Sequence, residues 1–126
     1  MNEQRFFDAS LTHIRNQGKP SMGENMSCMY ATASGLGCAF APAIMEYDPA
    51  QEGSAAYEYP LHLLHSWARE LDGDLVSDVQ SAHDLSSSLT ATEFLPSFER
   101  KMKDAAHNYN RNIIDSTLIV RYRPPA

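Results

Sequence analysis

Residues 28–53 read CMYATASGLGCAFAPAIMEYDPAQEG, and how they are interpreted decides the fold class. Met26, Cys28 and Tyr30 alternate with smaller or polar residues. After Thr32-Ala33-Ser34-Gly35 the alternation resumes at Leu36, Cys38 and Phe40. A period of two on both sides of a turn predicts a β-hairpin over residues 26–41. With Cys28 opposite Cys38, Tyr30 faces Leu36 and Met26 faces Phe40, so all six side chains share one buried face. Pro42 then opens a short helical turn. Asp48-Pro49-Ala50-Gln51 reads as a capped turn with proline in its first position, and Gly53 closes it.

Outward from this stretch the period changes to that of helices. Phe7, Leu11 and Ile14, flanked by Phe6, predict a helix over 3–17 that stops at Gly18-Lys19-Pro20. Tyr57, Leu61, Leu64, Ala68 and Leu71 form a stripe that predicts a second helix from Tyr57 or Pro60 to Leu71. Asp74 can cap a shorter helix through Leu75, Val79 and Ala82. Residues 84–92 read as a mobile serine-rich loop. Phe94, Phe98, Met102, Ala105 and Tyr109 define the most regular helix, with Pro96 expected in its first turn.

The chain's end changes character again. Thr117 to Tyr122 is β-branched and aromatic, and Pro124-Pro125 terminates it. Residues 116–123 therefore offer a third strand, either beside the hairpin or as an edge pairing with a second subunit in a homodimer. The resulting expectation is a single α+β domain over 1–126. Three main helices pack on a small antiparallel sheet made by the hairpin at 26–41, with or without a strand at 116–123, and 111–126 forms a C-terminal extension.

A chain of 126 residues can bury a core without staples. No apolar run approaches the roughly 20 residues of a membrane span, the N-terminus lacks a signal-peptide pattern, and two cysteines in such a chain are expected reduced. The expected location is the cytoplasm, without membrane association. Charge is uneven: residues 20–90 carry ten acidic side chains against Arg69 alone, within a net charge of −6. That acidic middle disfavours direct nucleic-acid binding, which rests on clustered Lys and Arg.

Several constellations bear on chemistry. Cys28 and Cys38 with His62 and His65 could supply zinc ligands, but the nine residues between the cysteines exceed the usual two to four. A Cys–His nucleophile needs an exposed thiol of depressed pKa, and both cysteines fall on the expected buried face. His83-Asp84 could be half of an acid–base pair, yet neighbours on a helix end point apart, which favours a cap or a tertiary hydrogen bond. No phosphate-binding glycine loop, nucleophile elbow or metalloprotease helix is present. The expectation is therefore a non-enzymatic protein without catalytic residues, metal or cofactor.

An ordered set of short motifs carries one resemblance. Gln17-Gly18-Lys19, Cys28-Met29-Tyr30, Gly35-Leu36-Gly37-Cys38-Ala39, Tyr47-Asp48-Pro49-Ala50-Gln51-Glu52-Gly53, His83-Asp84 and Phe98-Glu99-Arg100 follow one another along residues 5–109. This order resembles a family of small uncharacterised proteins encoded by bacteriophages and bacterial genomes, with a Cys-x-Tyr … Gly-Leu-x-Cys-Ala … Tyr-Asp-Pro-x-x-Glu-Gly pattern. The resemblance implies a phage-type accessory protein that binds and inhibits a host or defence macromolecule. The contact residues expected are Glu46, Asp48, Glu52, Glu58, Asp72, Asp74 and Asp78 on the acidic middle, or Arg121 and Arg123 on the tail. The alternative is a protein that sequesters a small nucleotide signal through Arg121, Tyr122 and Arg123.

Overall fold

The computed structural model describes residues 2–23, 27–109 and 113–118. Three α-helices carry the fold: α1 (Asn2–Gln17), α2 (Gly73–Asp84) and α3 (Ala91–Tyr109), with three-residue 3-10 turns between them. Among the described residues there is no β-strand, only isolated bridges such as Ala31 with Gly37 and Ile44 with Leu64. The protein is therefore all-α, and the α+β expectation is corrected.

The helices form where a local apolar stripe calls for them. Phe6, Phe7, Leu11 and Ile14 of α1 are fully buried. The helix ends as Gly18 takes a φ of +75° and returns its N–H to the Ile14 carbonyl at 2.7 Å, a conformation open to glycine at little cost. α2 starts on Asp72, whose carboxylate accepts from the Asp74 and Leu75 N–H groups at 2.8 and 3.4 Å. Along α3 the predicted stripe is buried at Phe94, Phe98, Met102 and Ala105 and half-buried at Tyr109. Because α3 begins at Ala91, Pro96 lies beyond its first turn, and the turn around it lacks one backbone donor. α2 and α3 make the broadest helix–helix contact, and α1 touches both.

Why residues 28–41 do not become a sheet follows from where their backbone groups go. The Tyr30 and Ala31 N–H groups donate to the Glu52 carboxylate at 2.9 and 3.3 Å. The Gln17 side-chain amide takes both backbone groups of Gly37, accepting its N–H at 2.8 Å and donating to its carbonyl at 3.0 Å. Ser10 donates to the Ala39 carbonyl at 2.7 Å, and the Phe40 N–H donates to Gln80 at 3.2 Å. Side chains from α1, α2 and the 49–53 turn thus claim what a ladder would have used. Two cross-chain bonds remain, Cys38 N–H to the Tyr30 carbonyl and Thr32 N–H to the Leu36 carbonyl. They set a register in which Cys38 lies across from Tyr30, so the expected Cys28–Cys38 pairing is corrected as well. Cys28 bridges instead to Met22, and both cysteines are free thiols. The expected partner Met26 lies outside the described residues.

Gly37 is where the clamp is tightest. A Cβ there would sit 2.8 Å from the Ala41 Cβ and 3.2 Å from His13 Nε2, so no side chain fits without displacing α1 or the following turn.

The expected helix from Tyr57 to Leu71 is replaced by three 3-10 turns, Ala56–Glu58, Leu61–Leu63 and Ser66–Ala68. Pro60 drives Tyr59 to an extended ψ of 133°, and Leu64 is extended where it bridges Ile44. Two residues of the expected stripe, Tyr57 and Leu61, consequently face solvent. The serine-rich loop is also more ordered than its composition suggests: Ser86 and Ser87 are buried, and Ser86 is hydrogen-bonded to Ser97 of α3 at 2.8 Å.

The C-terminal strand is corrected where it can be seen. Ser116–Leu118 is a 3-10 turn, and residues 113–117 lie against α1. Gln4 donates to and accepts from the backbone of Ile114, Ser116 donates to Asp8 at 2.5 Å, and Arg15 donates to the Thr117 carbonyl at 2.9 Å. Arg15 also pairs with Glu99 of α3 at 2.5 Å. Residues 119–126 lie outside the described residues, and with them the rest of the expected strand.

Candidate functional site

The acidic residues singled out from the sequence do not converge on one point. Asp48 and Asp72 are spent as caps on Ala50 and Asp74, and Glu52 is spent on the Tyr30 and Ala31 backbone. Glu46, Glu58, Asp74 and Asp78 are exposed. The Asp78 carboxyl is pushed up by partial burial and, secondarily, by the charge of Asp74. Arg121 and Arg123 lie outside the described residues.

What the fold does bring together is Cys28, His83 and Asp84. One ligand-type atom from each lies within 4.8 Å of the others. His83 is fully buried near the end of α2, with its ring edge-on to Phe94 at 5.9 Å. Its Nε2 accepts the Ser21 N–H at 2.9 Å, so the ring proton resides on Nδ1 and is donated to Asp84 Oδ1 at 2.8 Å. The two neighbours therefore meet, contrary to the expectation that they point apart. Gln80 donates to the same Asp84 oxygen at 3.1 Å. The Cys28 thiol donates to Ser87 Oγ at 3.1 Å, and burial pushes its pKa up, with the Ser87 hydrogen bond opposing and the charge of Asp84 adding.

This geometry limits the chemistry. A metal at Nδ1 would move the ring proton to Nε2, where it would confront the Ser21 N–H, donor against donor. The Cys28 thiol is turned to a serine rather than to the imidazole, and its raised pKa is the reverse of an activated nucleophile. These contacts brace Ser21 against the end of α2 and Cys28 against Ser87 just beyond it. The other ligands considered are scattered: Cys38 is buried with its thiol pushed up to about 12 by desolvation, His62 is exposed, and His65 stacks on Trp67.

Beside this brace runs a cleft of about 160 Å³, walled by residues 28–30, 52–56, Gln80 and Asp84. Asp84, whose side chain is 40% exposed, is one of its lining residues. The Tyr30 hydroxyl donates to the Ser54 carbonyl, and its pKa is raised by burial and by the surrounding thiol and carboxylates. Just outside, Tyr47 donates to Glu52 at 2.6 Å, which pushes the phenol up to about 12.

The same loop region leaves large apolar side chains in solvent: Met45 at 53%, Tyr47 at 39%, Tyr57 at 64% and Leu61 at 57% exposure. The segments carrying Met45 and Leu61 are tied together, since the Met45 and Glu46 N–H groups both donate to the Leu63 carbonyl. Sequence reasoning placed Tyr57 and Leu61 in a buried stripe and so missed their exposure; Pro60, between them, was the available signal. No helix among the described residues is long and apolar enough to cross a membrane. No protein-family model, curated protein sequence or solved structure matches this chain.

Proposed function

We propose that this protein acts without catalysis, by stoichiometric binding of a protein partner through the surface built from residues 45–61. The observation that carries this reading is the exposure of Met45, Tyr47, Tyr57 and Leu61 in one loop region interspersed with Glu46, Asp48, Glu52 and Glu58. Methionine and tyrosine are enriched at interface cores, where tyrosine supplies contact area at low entropic cost, while a charged rim steers the encounter. The acidic rim selects a partner with a basic face. In the phage-type reading that partner is a host or defence protein, held by occupation. The brace at Cys28, His83 and Asp84 fits this reading, because both imidazole nitrogens are engaged and neither serves the thiol.

Capture from bacterial lysate tests the proposal with wild type and a Tyr57→Ser, Leu61→Ser variant. Both positions are exposed, so the variant keeps its fold, as circular dichroism would verify. The expected result is a protein retained by wild type, lost by the variant and released as salt rises. Equal retention by both, or a nucleotide retained with no protein, refutes it.

A further inference from the structure

We propose that His83 and Ser21 form a proton-operated latch: the neutral imidazole accepts the Ser21 N–H at Nε2, and the protonated ring donates its Nε2–H to the Ser21 hydroxyl and releases the Ser21 amide. The inference goes beyond partner binding and stands on two arrangements inside the fold.

The first is a buried acceptor. His83 is fully buried, its Nδ1–H goes to Asp84 at 2.8 Å, and its Nε2 lone pair takes the Ser21 N–H at 2.9 Å. A ring held this way can gain a second proton only at Nε2, and an imidazolium has no acceptor left. Protonation therefore sets donor against donor at Ser21. The Asp84 carboxylate, already in contact with Nδ1–H, compensates the new charge.

The second is an idle hydroxyl. Ser21 is fully buried, and its Oγ has no hydrogen-bond partner among the described residues. Such a group is costly to leave unmade, and this one belongs to the residue whose N–H the ring must give up. It can accept the Nε2–H that acid creates. Each protonation state then has its own hydrogen bond between the same two residues.

Ser21 passes the change on. Its carbonyl accepts the Met29 N–H at 3.0 Å, and Met22 bridges Cys28. Residues 28–30 form one wall of the cleft beside Asp84, so displacing Ser21 displaces that wall. The other groups around the ring leave the proton to it. Cys28 keeps its own proton, because burial pushes the thiol pKa up. From α1 the titratable neighbour is His13, whose pKa is lowered by burial, against its bond to Gly37, and further by the charge of His83. α3 presents Phe94, which is uncharged.

NMR of the nitrogen-15-labelled protein between about pH 8 and pH 5 tests this. Long-range proton–nitrogen spectra read each imidazole separately. At the upper end His83 should be the Nδ1–H tautomer, and towards the lower end it should become doubly protonated. The Ser21 and Met29 amides should follow the His83 midpoint, not that of His13, while the Met45 amide, bonded to Leu63, stays unmoved. Ser21→Ala keeps the N–H and removes the receiving hydroxyl. It should make His83 about tenfold harder to protonate, a midpoint lower by about one pH unit. His83→Gln offers a carbonyl to the Ser21 N–H but cannot titrate, so both amides should lose their pH response; where that variant unfolds, Ser21→Ala decides. A ring still neutral at the lower end, a charged ring with an unmoved Ser21 amide, or an unchanged midpoint in Ser21→Ala overturns the proposal.

Discussion

Glu52→Ala should cost this protein about 2–4 kcal/mol. The figure follows from what the carboxylate holds: the Tyr30 N–H at 2.9 Å, the Ala31 N–H at 3.3 Å and the Tyr47 hydroxyl at 2.6 Å. A hydrogen bond to a charged acceptor contributes about 1.5–3 kcal/mol. The Tyr47 bond is exposed and contributes little, and the Ala31 bond is long, which places the sum below three full bonds. Glu52→Gln keeps one carbonyl for Tyr30 and should cost about half as much. Urea denaturation gives the totals, and amide exchange shows where the loss occurs: Tyr30 and Ala31 should exchange faster than the global change explains. Gly37, held by Gln17, provides the internal control. If Tyr30 and Ala31 stay protected in Glu52→Ala, their backbone is paired across a hairpin and the side-chain clamp is wrong.

Ser21→Ala should raise stability by about 1 kcal/mol, since the buried Ser21 hydroxyl has no hydrogen-bond partner among the described residues. His83→Phe should lower it by about 1–3 kcal/mol by orphaning the Ser21 N–H. Urea midpoints check both, and a destabilised Ser21→Ala would show that the hydroxyl has a partner. Burial raises the Cys38 thiol from 9.0 to about 12. A folded-state pKa above the unfolded value contributes stability that is complete below about pH 9 and is lost as pH rises towards 12. Wild-type urea midpoints should therefore fall above pH 9. Cys38→Ala should flatten that decline, and an unchanged slope would refute the assignment.

Helices α1 and α3 could be read from the sequence because their signal is local. A stripe such as Phe94, Phe98, Met102 and Ala105 specifies its own backbone, and packing only has to accept it. The hairpin could not be read this way. Alternation at Tyr30, Leu36, Cys38 and Phe40 in the sequence does not carry through to burial, since Cys38, Ala39 and Phe40 are buried in succession, as suits an irregular segment pressed between helices. Whether such a segment becomes a strand depends on who takes its N–H and C=O groups. Here the takers are Ser10, Gln17, Glu52 and Gln80, polar residues that a reading by hydrophobic period leaves unassigned.

The same argument decides what the candidate site is. His83-Asp84 in a sequence is compatible with an acid–base pair and with a brace, and the two differ only in what meets the second ring nitrogen. Ser21, remote in sequence, places an N–H there and commits the imidazole. Glu52 and Asp84 are likewise recruited for structure, one holding a backbone and the other a histidine, yet recruitment does not remove their charge. Each accepts neutral donors, so no compensating cation comes from these bonds. The clamp that replaces a sheet thus leaves a negative cleft at the protein surface as a direct consequence. Glu52→Gln consequently bears on both levels at once, loosening the backbone at Tyr30 and Ala31 and removing one of the two charges that line the cleft.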